Sequence, residues 1–152
     1  MMYSAETIAE YVIHYCDKKG KIMTNLKLQK ILYFIQVNFL VTIDNPCFKE
    51  DIFAWGFGPV IPEVYRKYKA YGSTHIPVLQ NKLNGIYISE KDKPWIDEII
   101  DDCCEYSGHQ LTQITLHQWP WIYAYYVSPT HIISHKSLLR YFKEEDNHES
   151  HK

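Results

Sequence analysis

Five carboxylates between residues 97 and 105 form the densest group of side chains that could do acid–base or metal chemistry. Asp97, Asp101 and Glu105 recur every four residues, which places them on one face of a helix. Paired carboxylates can transfer protons or bind a metal ion. A solvated helix face is the simpler interpretation. Because like charges at this spacing repel each other, a second interpretation is an acidic stripe that faces a basic partner.

Histidines and cysteines are the other residues that could bind a metal or act as nucleophiles. The chain has eight histidines and four cysteines, but no C-x-x-C pair. His131 and His135 are four residues apart, and Ser134 between them is predicted to begin a new helix. A Cys–His nucleophile–base pair could form in space, although no local signature points to one. We therefore expect no catalytic residue, no metal and no cofactor, with the cysteines as reduced, packed thiols.

Basic residues interleaved with tyrosines at residues 65–71 have the composition of some nucleic-acid sites. The same pattern describes an amphipathic helix whose basic end suits the helix dipole. The net charge of -2 argues against nucleic acid as a partner. No segment is typical of a signal peptide or a membrane span, so we expect no membrane partner and a cytoplasmic location.

Two tryptophans flank Pro120, and together they predict a rigid aromatic corner in the chain. Because a proline disfavours helical backbone at the residue before it, the chain is expected to turn at Trp119. Such a corner is typical of a core, and it could instead form a pocket or a binding hot spot. We interpret His117 as a hydrogen-bonded core histidine. The alternative is a small hydrolase or ligand-binding enzyme with a groove near His117 and Trp121.

Apolar periodicity predicts the elements that position these residues. Helices are expected at about residues 4–16, 24–40, 62–71, 110–117 and 134–142, and another starts at Ser89 with a capping box. Ile52–Trp55 is predicted to be a strand that pairs with residues 86–88, which follow a turn at Asn84 and Gly85, and residues 56–62 form a loop. The fold class is mainly α, a compact single-domain helical bundle with a small β-hairpin element. We expect one domain at residues 1–143 and a polar, disordered tail at residues 144–152.

Three segments of the chain together resemble a known protein family. They read L-K-L-Q-K-I-L-Y-F at residues 26–34, F-A-W-G-F-G-P-V-I-P-E-V-Y at 53–65, and L-T-Q-I-T-L-H-Q-W-P-W at 111–121. In this order and spacing they are similar to the Panacea domain of SocA-like, phage-associated antitoxins. The likeness covers roughly residues 4–142. Ile31 stands where the family pattern more often has Leu, a change that conserves side-chain volume.

The resemblance implies a compact, mainly helical domain that neutralises a cognate protein toxin, encoded beside it, by direct contact. Some relatives also act as adaptors that deliver the toxin to a protease, and some carry an added DNA-binding segment, which we do not expect here. The motif residues build the core scaffold, or else some of them line a partner groove. They are Leu28, Gln29, Lys30, Tyr33, Trp55, Gly58, Pro59, Val60, Tyr65, His117, Pro120 and Trp121.

Overall fold

The computed structural model describes residues 2–78 and 87–150, with the backbone alone described from residue 144 onward. Its fold is mainly helical, with one small antiparallel sheet, and this confirms the predicted fold class. The elements in chain order are α1 (Ala5–Lys18), α2 (Asn25–Ile43), β1 (Ile52–Trp55), β2 (Gly58–Val60), α3 (Pro62–Tyr68), a 3-10 turn (Lys69–Tyr71), α4 (Lys93–Cys103), α5 (Gly108–Leu116), α6 (Trp119–Tyr126), β3 (Ile132–Ile133) and α7 (His135–Ser150).

The central element is α2, which contacts α1, α3, α4, α5, α7 and β2. Its apolar side chains, among them Leu28, Ile31, Leu32 and Ile35, are buried in the core. By length and composition alone α2 could cross a membrane, but 61% of its apolar window lies buried inside the fold. Burial of this extent on nearly all sides is what a helix at the centre of a bundle requires.

Helix starts follow local capping chemistry. The side chains of Ser4 and Thr24 accept hydrogen bonds from the backbone N–H groups of the first turns of α1 and α2. The predicted start of α2 at Thr24 is therefore confirmed. A complete capping box lies at Ser107 and Gln110, where it begins α5. The predicted capping box at Ser89 is wrong.

The start of α4 lies at Lys93, four residues beyond Ser89. The Ser89 hydroxyl accepts a 3.3 Å hydrogen bond from Lys91 N, and its carbonyl accepts from the backbone of residues 92 and 93, so the chain forms a turn here. Pro94 occupies the first turn of α4. A proline fits that position because its missing N–H has no partner there, and this sets the start of the helix.

The sheet has the order β2-β1-β3, with both pairs antiparallel. The prediction of a strand at Ile52–Trp55 is confirmed, but the predicted partner is wrong. Phe53 pairs with Val60 and Ile52 pairs with Ile133, so both edges of β1 are used by other segments. Tyr87 and Ile88 are in no strand. Ile86 and the predicted turn at residues 84–85 lie outside the described residues.

The aromatic corner is followed at once by a helix that the sequence did not predict. Trp119 is the first residue of α6, and Pro120 lies in its first turn. The expectation of non-helical backbone at Trp119 is wrong, because a proline is favourable in the first turn of a helix. The turn occurs one residue earlier, where Gln118 has extended backbone angles (φ -92°, ψ 133°).

The last helix, α7, is helical to Ser150 and so passes the predicted end near residue 142. The division into a domain at residues 1–143 and a disordered tail at 144–152 stays a prediction.

Candidate functional site

A stripe of polar residues runs along the buried length of α2. It consists of Asn25, Gln29, Lys30, Tyr33 and Gln36, and each of these is buried. A buried polar group costs free energy unless it finds a hydrogen-bond partner. The stripe, called here the α2 polar stripe, must therefore bind groups from other elements.

Gln29 forms a hydrogen bond with the residue that follows β2. Its Oε1 accepts a 2.9 Å hydrogen bond from Ile61 N, and its Nε2 donates a 2.9 Å bond to Asn25 Oδ1. Asn25 in turn donates to the carbonyl of Tyr65 at 3.1 Å. These three bonds fix the start of α3 against α2.

Gln36 binds the segment that precedes β1. Its Oε1 accepts from Cys47 N at 2.7 Å and from Phe48 N at 3.1 Å, and its Nε2 donates to Phe48 O at 2.9 Å. One buried amide thus satisfies three backbone groups of a connection that has no regular structure of its own.

Lys30 is buried below the turn of the β-hairpin. Its Nζ donates a 3.3 Å hydrogen bond to Pro59 O and lies 5.5 Å from the centre of the Phe57 ring. Burial lowers the pKa of Lys30 from 10.5 to about 7. Burial therefore favours the neutral amine of Lys30 over its ammonium form.

Gly58 lies directly over Lys30. A Cβ atom at this position would lie 2.6 Å from Lys30 Cε and 3.1 Å from Thr115 Oγ1. Gly58 also has a φ of 106°, which side chains rarely allow. Both the backbone angle and the close contacts therefore require glycine at the second glycine position of the G-F-G sequence.

The three motif segments meet through two further hydrogen bonds. Tyr33 Oη donates to Gln118 Oε1 at 2.6 Å, and Trp121 Nε1 donates to Trp55 O at 2.9 Å. Burial raises the pKa of the Tyr33 hydroxyl far above its ordinary value, so it stays a donor. The half-buried Trp55 ring packs against the rings of Phe57 and Tyr65.

These contacts place the predicted motif residues as follows. Lys30 contacts the Gly58–Val60 segment, Gln29 contacts Ile61 just beyond it, and Tyr33 contacts the α5–α6 turn. Leu28, Val60, Pro59, Pro120 and Trp121 are buried, and Tyr65 is partly exposed. The arrangement holds the hairpin and the aromatic corner against α2.

His117 is exposed at the end of α5, so the prediction of a core histidine is wrong. Its Nδ1 lies 2.7 Å from Gln113 O, and because a carbonyl only accepts, Nδ1 carries the proton. The sequence cannot distinguish this position from a core one, since it lies beside a tryptophan-rich segment.

The acidic residues at 97–105 are used in part by α1. Tyr11 donates to Asp97, while Tyr15 and Lys19 both bind Asp101, with Lys19 Nζ at 3.0 Å from Asp101 Oδ1. Glu105 lies beyond the end of α4 and is exposed. A partner-facing role for the stripe stays a prediction.

One member of the basic cluster at residues 65–71 is also engaged within the fold. Lys67 pairs with Glu10 at 2.9 Å and with Glu6 at 3.3 Å, which joins α3 to α1.

The thiols of Cys16, Cys47 and Cys103 are not activated. Burial raises the pKa of both Cys16 and Cys103 to about 12, and it also raises the pKa of Cys47. A thiol must ionise to act as a nucleophile or a metal ligand. Among the described residues, no group of three or more His, Cys, Asp or Glu could hold a metal ion.

The sequence-based predictions do not include one exposed apolar surface. Along α6, residues at i, i+3, i+4, i+7 and i+8 are apolar and 38–73% exposed, and they form what is called here the outer face of α6: Trp119, Ile122, Tyr123, Tyr126 and Val127. The helical spacing is the signal that could have found it. It was hidden because residues 119–126 were not predicted to be a helix.

Comparison with known proteins finds two matches. A sequence model of the family described as "Antitoxin SocA-like, Panacea domain" matches residues 28–122, which includes two of the motif segments whole and the first from Leu28 onward. A curated protein of Caulobacter vibrioides (strain NA1000 / CB15N), "Antitoxin SocA", is 41% identical over 69 residues. That alignment covers 43% of this chain and 37% of the relative, so the match spans little more than a third of the relative's length. No solved structure matches the chain. The chain belongs to the SocA-like antitoxin family that carries the Panacea domain.

Proposed function

We propose that the protein is an antitoxin that neutralises a cognate protein toxin by binding it directly. The observation that carries this proposal is the family match over residues 28–122, supported by the partial identity with an antitoxin. The toxin partner, its encoding beside this chain, a phage association and action in the cytoplasm are all part of the proposal.

The chemistry of the motif supports a binding role over a catalytic one. Gln29, Lys30 and Tyr33 direct their polar atoms at groups within the fold, where a substrate has no access. These residues therefore serve to build a rigid scaffold. A rigid scaffold lowers the entropic cost of binding, which is what a tight protein inhibitor needs.

The alternative of a small hydrolase with a groove near His117 and Trp121 has less support. Trp121 is 5% exposed and donates its indole N–H to a backbone carbonyl. The Nδ1 proton of His117 is held by the Gln113 carbonyl on the same helix. Substituting His117 with Ala should leave toxin neutralisation unchanged. A folded variant that no longer neutralises the toxin would support the enzyme hypothesis.

Co-expression tests the proposal. The reading frame adjacent to this gene is induced alone and together with the antitoxin, and growth is scored. We expect the neighbour to stop growth alone and to co-purify with the antitoxin on rescue. A neighbour without toxicity, or rescue without any complex, contradicts direct neutralisation.

The same strains test a role as a proteolytic adaptor. Toxin half-life is followed after synthesis is blocked, with and without the antitoxin. A shortened toxin half-life supports delivery to a protease. An unchanged or longer half-life indicates that binding of the antitoxin alone neutralises the toxin.

A further inference from the structure

Two stacked aromatic pairs lie along α6, on different sides of the helix. Trp121 and Tyr125 stack with ring centres 4.8 Å apart, and Trp121 is bonded to β1. Trp119 and Tyr123 stack with ring centres 5.2 Å apart, yet these two side chains are 44% and 43% exposed. The first pair anchors the helix, whereas the second presents flat aromatic surface to solvent.

The outer face of α6 has the composition of a protein-binding hot spot. Tyr and Trp are enriched at such sites because they bury large areas with few rotatable bonds. Tyr126 is 73% exposed and Val127 is 63% exposed, so the apolar surface extends to the end of the helix. A contiguous exposed apolar face rimmed by polar residues is typical of an interaction site.

The elements that contact α6 contain basic residues but no carboxylate up to residue 143. Residues 106–143 contain three Lys or Arg and four His but no carboxylate, and residues 52–62 contain no charged residue at all. These two stretches supply α5, β1, β3 and the first part of α7, the elements that contact α6. Acidic residues resume only at Glu144. The surroundings therefore complement an acidic partner.

A groove adjoins the inner side of the same helix. It has a volume of about 710 Å³ and lies between β1 and the α6–β3 connection, with Phe53, Trp55, Tyr125 and His131 among its lining residues. The described residues that line this groove include no carboxylate. An apolar side chain of a partner could enter it beside the outer face.

We propose that the outer face of α6 docks the cognate toxin through a toxin surface whose apolar centre is rimmed by carboxylates. This inference rests on the proposed function and names the interface. The cognate toxin is the occupant that the proposed function supplies, and docking of a second copy of this chain is an outcome of the test.

Charge substitutions at Tyr126 test the proposal. The affinity of the purified toxin, the product of the adjacent reading frame, is measured for the wild type, Tyr126→Asp and Tyr126→Lys. We expect Tyr126→Asp to weaken binding by about tenfold or more and Tyr126→Lys by much less, because only the aspartate repels an acidic partner. Equal losses would overturn the assignment of an acidic rim. An unchanged affinity for Tyr126→Asp would overturn the interface itself.

Ile22→Asp is the matched control, since Ile22 is 68% exposed on the connection between α1 and α2. It should bind the toxin as the wild type does. Val127→Asp repeats the test if the Tyr126→Asp protein does not fold, as judged by circular dichroism. Raising the ionic strength should weaken wild-type binding.

Further outcomes separate this inference from the proposed function. If the wild type does not bind the toxin, the proposed function fails and the inference fails with it. If the wild type binds and rescues growth while Tyr126→Asp and Val127→Asp do so equally well, the antitoxin role stands and the α6 interface is wrong. Light scattering on the chain alone should give the mass of a monomer. A dimer that Tyr126→Asp dissociates would assign the face to a second copy instead.

Discussion

Tyr33 and Gln118, which are 85 residues apart in the sequence, are joined by a buried 2.6 Å hydrogen bond. The bond connects the centre of α2 to the turn between α5 and α6. Through this bond α2, which also binds the β-hairpin, fixes the start of α6. The outer face of α6 is the surface that we assign to the toxin. The orientation of α6 thus depends on a residue in the core.

Tyr33→Phe removes the donor of this bond. Gln118 Oε1 then loses its hydroxyl partner in a buried position, and we expect the free energy of unfolding to fall by about 1–3 kcal/mol. Urea denaturation measures the change. Tyr87→Phe is the control, because Tyr87 is 66% exposed and should lose almost nothing. A Tyr33→Phe protein as stable as the wild type contradicts a structural role for the bond.

Gly58→Ala introduces a Cβ where Lys30 and Thr115 leave no room. Strain at positive φ and the close contact together should cost about 2–5 kcal/mol. Gly20→Ala is the matched control, since Gly20 has a φ of 67° and nothing within 4 Å of its would-be Cβ. It should cost about 1–2 kcal/mol for the backbone alone. Thermal melts compare the two, and equal losses would show that crowding over Lys30 is unimportant.

Lys30 should make stability depend on pH. Its pKa is about 7 in the folded protein against 10.5 ordinarily, so between these values the unfolded chain binds a proton that the folded chain does not. Stability contributed through Lys30 therefore rises with pH in this window and is lowest below it. From pH 7 to about 9 the gain is about 2 kcal/mol.

The measurement is urea denaturation of the wild type and of Lys30→Met at both pH values. Unfolded cysteines also ionise near the upper value, but they do so equally in both proteins, so the difference between the two proteins isolates Lys30. We expect Lys30→Met to lack the rise and to be more stable than the wild type near pH 7, because a buried charge is replaced by an apolar side chain. Parallel pH profiles would contradict the lowered pKa.

Glu105 tests the acidic stripe as a competing interface. It is exposed beyond the end of α4, whereas Asp97 and Asp101 are bonded to α1. Because we assign docking to α6, we expect Glu105→Lys to leave growth rescue unchanged in the co-expression assay. A loss of rescue with normal folding would move the interface to α4.

Local chemistry in the sequence predicts part of this fold well. The helix starts near Ser4 and Thr24 and the strand at Ile52–Trp55 depend on neighbouring residues alone, and all are confirmed. The pairing of that strand was wrong because turn signals at Asn84 and Gly85 were preferred over a tighter turn. A glycine at positive φ directly after Phe57 makes the shorter hairpin possible.

The candidate site was harder to predict because its features depend on long-range contacts. The buried amides of Gln29 and Gln36 follow helical spacing, but their backbone partners lie in irregular segments that no pattern identifies. The outer face of α6 was missed because Pro120 was read as ending a helix when it begins one. His117 was assigned to the core on the strength of its aromatic neighbours, yet it is exposed.

A calorimetric titration of purified toxin with purified antitoxin tests direct neutralisation most directly, with residual toxin activity followed in the same samples. We expect heat release that saturates at a fixed stoichiometric ratio, with toxin activity lost in proportion to the complex formed. Loss of toxin activity at far less than stoichiometric antitoxin, or loss without any binding heat or complex, would contradict neutralisation by occupancy and indicate catalysis.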